Sequence, residues 1–122
     1  MIKGIGLDLC GVSRMEPLVT EGRFLEKYYT PAERAYIQNR GQLAAQSAAG
    51  IYAAKEAFLK AAGTGLSGAP LKEIEVTHTP LGQPMLKLHG RAAELAQGMK
   101  VFVSITHEND TAAATVILEG SD

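Results

Sequence analysis

The first residues of the chain alternate between apolar and small or polar side chains. Over residues 2–9, Ile5, Leu7 and Leu9 share one face of a strand, and two glycines share the other face with Asp8. A strand with glycines on one face lets another element approach its backbone closely. The pattern therefore predicts a strand whose glycine face is open to close approach by another element.

Helix signals follow this strand. Thr30-Pro31-Ala32-Glu33 combines an N-cap threonine, a proline at the first helical position and the glutamate of a capping box, which predicts a helix to about Asn39. A long, alanine-rich helix is predicted over Leu43–Ala62, and Gly63 suits the position just after its C-terminus. Two shorter helices are predicted over Arg14–Val19 and Arg91–Gln97.

The remaining periodic segments predict strands. Residues 101–106 and 112–118 flank Glu108-Asn109-Asp110, a sequence typical of turns, and so predict a hairpin. Residues 72–77 and 85–88 predict two further strands on either side of a Pro- and Gly-containing segment. Helices and hairpins mix here without regular alternation, which favours an α+β fold.

Composition narrows the class of protein. The chain has 122 residues, of which 46% are apolar and 20% are charged, so we expect a single globular domain over residues 1–122. The net charge is −1 and the basic residues are scattered, which argues against nucleic-acid binding. Cys10 is the only cysteine, and the N-terminal segment is neither a signal peptide nor a membrane span. We therefore expect a cytoplasmic protein that acts away from membranes.

Two carboxylates are candidates for chemistry. Glu56 and Lys60 stand four residues apart on the long helix, and an exposed pair of this kind stabilises a helix by only about 0.2–0.5 kcal/mol. The many alanines around them allow a second interpretation, in which Glu56 is enclosed and needs a cation. Asp8 is either a metal ligand or a cap at a strand end. Together the two carboxylates could supply part of a magnesium site, because Mg²⁺ completes its octahedron with waters and phosphate oxygens.

The segment after the long helix resembles a phosphate-binding loop only in composition. Gly63-Thr64-Gly65 follows the helix, and the dipole at a helix C-terminus repels anions. Taken alone, these residues form a helix stop, and any phosphate nearby would need Lys60 or a divalent cation to attract it. His107, at the end of a strand, is either a turn residue or an anion ligand.

The order of four segments identifies a family. GIGLDL at 4–9 with Arg14, AAKEAFLKAAGTG at 53–65, LGQP at 81–84 and VSITH at 103–107 together resemble the holo-acyl-carrier-protein synthases, which are small 4′-phosphopantetheinyl transferases of fatty-acid synthesis. The resemblance covers nearly the whole chain. It implies a long central helix packed on a small, mainly antiparallel sheet. It also implies magnesium-dependent transfer of 4′-phosphopantetheine from coenzyme A to a serine of an acidic acyl carrier protein, by a homotrimer whose sites are shared between neighbours.

The resemblance also implies roles for individual residues. The metal ligands would be Asp8 and Glu56, and the catalytic set would be Asp8, Glu56 and Lys60. The coenzyme would contact Lys60, Gly63, Thr64, Gly65, Pro84, Thr106 and His107, and the carrier would dock on Arg14, Arg23 and Lys27. In a trimer with shared sites, residues 8, 56 and 107 would meet across chains.

The chain departs from the family pattern at one position. Family members commonly carry an arginine before the aromatic residue that precedes AAKEA, whereas this chain has Ile51 before Tyr52. Arg40 is the replacement that the sequence offers for the lost phosphate contact. Two alternatives to the fatty-acid type of enzyme are a non-catalytic module that binds coenzyme A or a carrier protein, and a transferase that acts on carriers of polyketide or peptide synthesis. Enzymes of that second type are often about twice as long.

Overall fold

The computed structural model describes residues 1–121. Besides the helices and strands, the chain forms short 3₁₀ turns over residues 41–43, before the longest helix, and over residues 65–67 and 71–73, after it. The elements follow in the order β1 (Ile2–Gly11), α1 (Val12–Glu21), α2 (Arg23–Tyr28), α3 (Pro31–Gln38), α4 (Ala44–Ala61), β2 (Ile74–His78), β3 (Pro84–Leu88), α5 (Gly90–Leu95), β4 (Met99–Glu108) and β5 (Thr111–Gly120).

The strands form two antiparallel sheets. The larger has the order β1-β5-β4, and the smaller pairs β2 with β3. Asn109 and Asp110 connect β4 to β5, and Asn109 adopts a positive φ of 54° in this turn. The predicted α+β class and hairpin are therefore confirmed, and the strands of the hairpin extend beyond their predicted limits.

Helix α4 packs against the glycine face of β1, as the alternating pattern predicts. A Cβ atom added to Gly4 would lie 1.9 Å from the carbonyl oxygen of Ala61, and one added to Gly6 would lie 1.9 Å from that of Ala57. No side chain fits at either strand position unless the helix moves away. The glycines thus set the distance between the strand that carries Asp8 and the helix that carries Glu56.

The helix ends are capped by the residues that the sequence indicated. The Thr30 hydroxyl accepts a hydrogen bond from the Glu33 backbone N–H at 3.2 Å, and Glu33 Oε1 accepts one from the Thr30 N–H at 2.8 Å. At the end of α4, Gly63 takes a φ of 79°, and the Thr64 N–H donates to the carbonyl of Leu59 at 3.1 Å. This is the 6→1 bond of a Schellman motif, so the helix ends where it was predicted to end.

Other boundaries were wrong. The segment predicted as a strand from residue 72 begins with a 3₁₀ turn over Leu71–Glu73, and pairing with β3 starts only at Ile74. Helix α2 was not predicted as an element, because its six residues are too few to show a clear periodicity.

The apolar face of β1 points away from α4. In a single chain Ile5, Leu7 and Leu9 are 67%, 62% and 64% exposed. Phe102 on β4 faces the same side of the sheet, across Ile117 of β5. The larger sheet therefore has one face covered by α4 and one apolar face open. Within residues 1–121, no helix is long and apolar enough to cross a membrane.

Candidate active site

The strand and the long helix bring Asp8, Glu56 and Lys60 together. Asp8 lies within β1 on the face that meets α4, so the interpretation of Asp8 as a strand-end cap is wrong. Lys60 Nζ donates to Asp8 Oδ1 at 2.7 Å and to the carbonyl of Leu7 at 3.1 Å. The side chain of Asp8 is 14% exposed and that of Lys60 is 53% exposed. The lysine thus bridges a largely buried carboxylate and solvent.

The two carboxylates are only partly compensated, because Lys60 is the one cation paired with them among the described residues. Asp8 Oδ2 is buried without a hydrogen-bond partner, which leaves a buried oxygen of a carboxylate unsatisfied. Glu56 is half-buried beside it, and burial together with repulsion from Asp8 raises the pKa of Glu56 to about 7. Two crowded carboxylates with an unsatisfied oxygen suit a hard divalent cation such as Mg²⁺. Among residues 1–121 no group of three potential ligands occurs, so substrate and water oxygens would have to complete such a site.

The ion pair between Glu56 and Lys60 on an exposed face of the helix is not observed. Among the described residues, Lys60 pairs with Asp8 instead. The reason is the close packing of β1 on α4, which places Asp8 within reach of the lysine. The second interpretation, an enclosed carboxylate that needs a cation, fits the structure.

The glycines after α4 leave their backbone open. Gly63 and Gly65 both adopt positive φ, 79° and 66°, and a Cβ atom at either position would meet no other atom within 4 Å. Both residues are exposed, and Thr64 between them is half-buried. This loop therefore offers bare peptide groups next to Lys60, on which an extended ligand could lie.

Two other expected coenzyme residues line a separate cleft. Pro84, at the start of β3, and His107, near the end of β4, lie in a cleft of about 180 Å³ together with Arg40 and Ile51. Neither Asp8 nor Glu56 lines it. His107 Nε2 lies 3.1 Å from the side-chain nitrogen of Gln46.

Thr106 lies on a different surface. It is exposed on the open face of the larger sheet, in register with Ala113 and, beyond it, Leu9. A single chain therefore does not join Thr106 and His107 to Asp8 and Glu56. Asp8 and Glu56 themselves meet within one chain.

The expected carrier-docking residues are exposed on α1 and α2. The Arg14 guanidinium lies 5.9 Å from the ring centre of Tyr52, and Lys27 Nζ lies 5.2 Å from that of Tyr28. Arg23 forms an ion pair with Glu21, which holds the pKa of that glutamate below its usual value. The surface is therefore of mixed charge.

A buried ion pair between α3 and α4 was not predicted from the sequence. Lys55 and Glu33 are buried, and Lys55 Nζ donates to Glu33 Oε1 at 2.8 Å and to the carbonyls of Leu71 and Ile74 at 2.9 and 2.7 Å. Glu33 Oε2 accepts from the Val76 N–H at 2.7 Å. These bonds join α3, α4 and β2 through Lys55, the residue that precedes Glu56 on α4. The only sequence feature that involved Glu33 was the capping box, and a capping role accounts for this glutamate without any buried lysine.

Comparison with known proteins places the chain in a family. The profile described as the 4′-phosphopantetheinyl transferase superfamily matches residues 4–116. A holo-[acyl-carrier-protein] synthase of Treponema denticola is 43% identical over 123 residues, which cover 98% of this chain and 100% of that protein. A protein of the same name from Geobacter sulfurreducens is 42% identical over 125 residues, 98% of each chain.

Solved structures give the same result. The crystal structure of a holo-(acyl-carrier-protein) synthase from Bacillus anthracis in complex with CoA (3′,5′-ADP) matches with a TM-score of 0.84 and 34% identity, over 99% of both chains. The Helicobacter pylori synthase in complex with coenzyme A matches with a TM-score of 0.81 and 26% identity, over 94% of this chain and 99% of that one. The resemblance noted in the sequence is thereby confirmed, and the chain belongs to the 4′-phosphopantetheinyl transferase superfamily.

Proposed function

We propose that this protein transfers the 4′-phosphopantetheine group of coenzyme A to a serine of an apo-acyl carrier protein, with Mg²⁺ as the cofactor. The serine hydroxyl attacks the phosphorus that bears the pantetheine arm and gives up its proton to solvent. The bond from that phosphorus to the bridging oxygen breaks, and 3′,5′-ADP leaves with that oxygen. The holo-carrier is the second product. The relatives named holo-[acyl-carrier-protein] synthase support this proposal.

The observation that carries the proposal is the meeting of Asp8 and Glu56 beside Lys60. Lys60 offsets only one of the two carboxylate charges, and the unpartnered Asp8 Oδ2 and the raised pKa of Glu56 support a site that a divalent cation would complete. When bound, Mg²⁺ would neutralise the charge of the diphosphate. A non-catalytic binding module would have little use for such a pair of carboxylates.

In this proposal Lys60 and the loop Gly63-Thr64-Gly65 contact the phosphates of the coenzyme. The exposed lysine ammonium turns from Asp8 to a phosphate oxygen, where it offsets the negative charge that develops on the leaving group. The open backbone at Gly63 and Gly65 lets the coenzyme lie against the end of α4. Positioning and electrostatic stabilisation supply most of the catalysis in phosphoryl transfer.

We further propose that three copies of the chain assemble through the open face of the larger sheet. Ile5, Leu7, Leu9 and Phe102 are all exposed on this one face, and several exposed apolar side chains on one face are typical of an interface. Thr106 lies on this face, so assembly would bring it, and the nearby His107, towards the site of a neighbour. The coenzyme site would then be shared between chains.

The acidic carrier would dock on α1 and α2. Arg14 is exposed at the start of α1, and Arg23 and Lys27 are exposed on α2. An Arg14→Glu variant should have a raised KM for the carrier, a nearly unchanged KM for coenzyme A and a normal melting temperature, because the charge lies on the rim of the interface. Equal loss for both substrates would place Arg14 in the coenzyme site instead.

We also place the protein in the cytoplasm, where a single buried thiol stays reduced.

The direct test is to incubate the purified protein with apo-carrier, coenzyme A and Mg²⁺ and to weigh the carrier by mass spectrometry. The expected result is a mass gain of one phosphopantetheine group together with release of 3′,5′-ADP. Binding of coenzyme A without any mass gain on carriers of fatty-acid, polyketide or peptide synthesis would make the protein a binding module.

A further inference from the structure

The helix that carries Arg14 has no N-terminal cap of its own. Helix α1 begins at Val12, and the residue before it is Gly11, which has no side chain to accept a hydrogen bond from the first turn. The first turn also contains no acidic residue that would interact with the positive end of the helix dipole. The N–H groups at the start of α1 must therefore find their acceptors elsewhere in the molecule.

A proline weakens the same turn. Pro17 lies inside α1 and has no N–H to donate to the carbonyl of Ser13, one turn before it. Met15 is the one buried residue of α1 and anchors the helix to the core from its fourth residue onwards. Ser13 and Arg14 lie before this anchor and are exposed. The position of Arg14 therefore depends on how firmly the first turn of α1 is held.

Asp110 supplies the missing cap from the turn between β4 and β5. Its carboxylate oxygen Oδ1 accepts hydrogen bonds from the Ser13 N–H at 3.0 Å and from the Ser13 hydroxyl at 2.6 Å. Its backbone carbonyl accepts a third hydrogen bond from the Val12 N–H at 2.8 Å. The pairing of Gly11 with Thr111 brings this turn to the start of α1. A residue that lies 97 positions after Ser13 therefore makes the cap that α1 lacks.

Loss of this cap should act on the start of α1 and spare the rest of the fold. The side chains of Asp110 and Ser13 are both exposed, so removal of the carboxylate would leave no buried polar group without a partner. The first turn of α1 would fray, because its N–H groups lose their acceptors. A frayed turn holds Arg14 in its docking position for a smaller fraction of the time, which weakens binding by that fraction.

We infer that Asp110 is a positioning residue for the carrier protein, because it caps the first turn of α1 and so holds Arg14 where docking requires it. This inference rests on the proposed function, in which the carrier docks on α1 and α2. It adds to that function a residue on a distant turn that acts through Arg14.

Steady-state transfer assays with varied carrier concentration test this inference. Asp110→Ala should raise the KM for the carrier by roughly twofold to thirtyfold, the factor that loss of a helix cap gives, and leave the KM for coenzyme A nearly unchanged. Asp110→Asn removes the same charge but keeps an oxygen that accepts from the Ser13 N–H, so its carrier KM should stay close to that of the wild type.

The sign of the change distinguishes this cap from a simple charge effect. The carrier is acidic, so a residue that acted only through its negative charge would repel it, and both variants would then lower the carrier KM. That result would overturn the inference. Glu94→Gln removes an exposed carboxylate from α5 and should leave both KM values unchanged.

A second genetic background tests whether the effect acts through Arg14. In an Arg14→Ala protein, Asp110→Ala should cause little further increase in the carrier KM, because the side chain that it positions is already absent. A further increase as large as that in the wild-type background would overturn the inference.

The activity of the wild-type protein separates this inference from the proposed function. A wild-type protein that transfers no phosphopantetheine group to any apo-carrier would refute the proposed function. A wild-type protein that transfers it, combined with an Asp110→Ala variant whose melting temperature falls while its carrier KM stays the same, would refute only the positioning role of Asp110.

Discussion

At the scale of single residues, the protonation of Glu56 links pH to metal binding. Burial and repulsion from Asp8 raise the pKa of Glu56 from its ordinary value near 4.5 to about 7. The folded protein therefore holds this proton more tightly than the unfolded chain does. The resulting stabilisation is complete below pH 4.5 and is lost as the pH rises to about 7.

A magnesium ion should take the place of that proton. We predict that Mg²⁺ raises the melting temperature more at about pH 8 than at about pH 6, because at the lower pH the ion must displace the proton first. In the Glu56→Gln variant the effect of Mg²⁺ should be small at both values. Differential scanning fluorimetry at the two pH values measures the change in melting temperature that Mg²⁺ causes in each protein. An equal Mg²⁺ effect on the wild-type protein at both would contradict a site that contains Glu56.

At the scale of elements, the contact between β1 and α4 depends on Gly6. The Gly6→Ala variant would drive a methyl group against the carbonyl oxygen of Ala57, so the helix must shift. We expect a loss of about 1–3 kcal/mol in the free energy of unfolding, the usual cost of overpacking, together with loss of Mg²⁺ binding as Asp8 and Glu56 move apart.

Gly11, at the end of the same strand, is the matched control. A Cβ atom there would come only within 3.9 Å of Arg14 Cβ, which is an ordinary contact. Chemical denaturation of Gly11→Ala should show stability close to that of the wild type. If the Gly6→Ala variant were equally stable, the close approach of helix and strand would not be needed.

The features that could be predicted from the sequence alone are those that depend on residues close together in the chain. The cap at Thr30, the stop at Gly63 and the turn at Asn109 depend on a few neighbouring residues, so each could be read directly. The meeting of Asp8 and Glu56 could not, because nothing in their spacing shows that a strand packs on a helix. For the same reason the buried partner of Glu33 and the cleft around Arg40 appear only in the folded chain, and the family resemblance alone linked the distant segments.

At the scale of the whole molecule, the open face of the larger sheet should hold the assembly together. A glutamate in place of Leu7 would put a charge at the centre of that face. If the proposed trimer forms through this face, Leu7→Glu should yield a monomer with little transfer activity. Leu81 is 99% exposed on a loop, and Leu81→Glu should leave the assembly intact. Light scattering coupled to size-exclusion chromatography measures the molar mass of both variants. A fully active wild-type monomer at the concentration of the assay would contradict the shared site.

The central claim is that Asp8 and Glu56 together form the metal-dependent reaction centre, and the rate of carrier modification as a function of Mg²⁺ concentration tests it most directly. Asp8→Asn and Glu56→Gln should each lower the maximal rate by more than about a hundredfold, since two ligands share one ion, while the folded state is retained. Glu16→Gln, which removes an exposed carboxylate from α1, should leave the Mg²⁺ dependence unchanged. Wild-type rates and an unaltered Mg²⁺ dependence in either carboxylate variant would contradict the account.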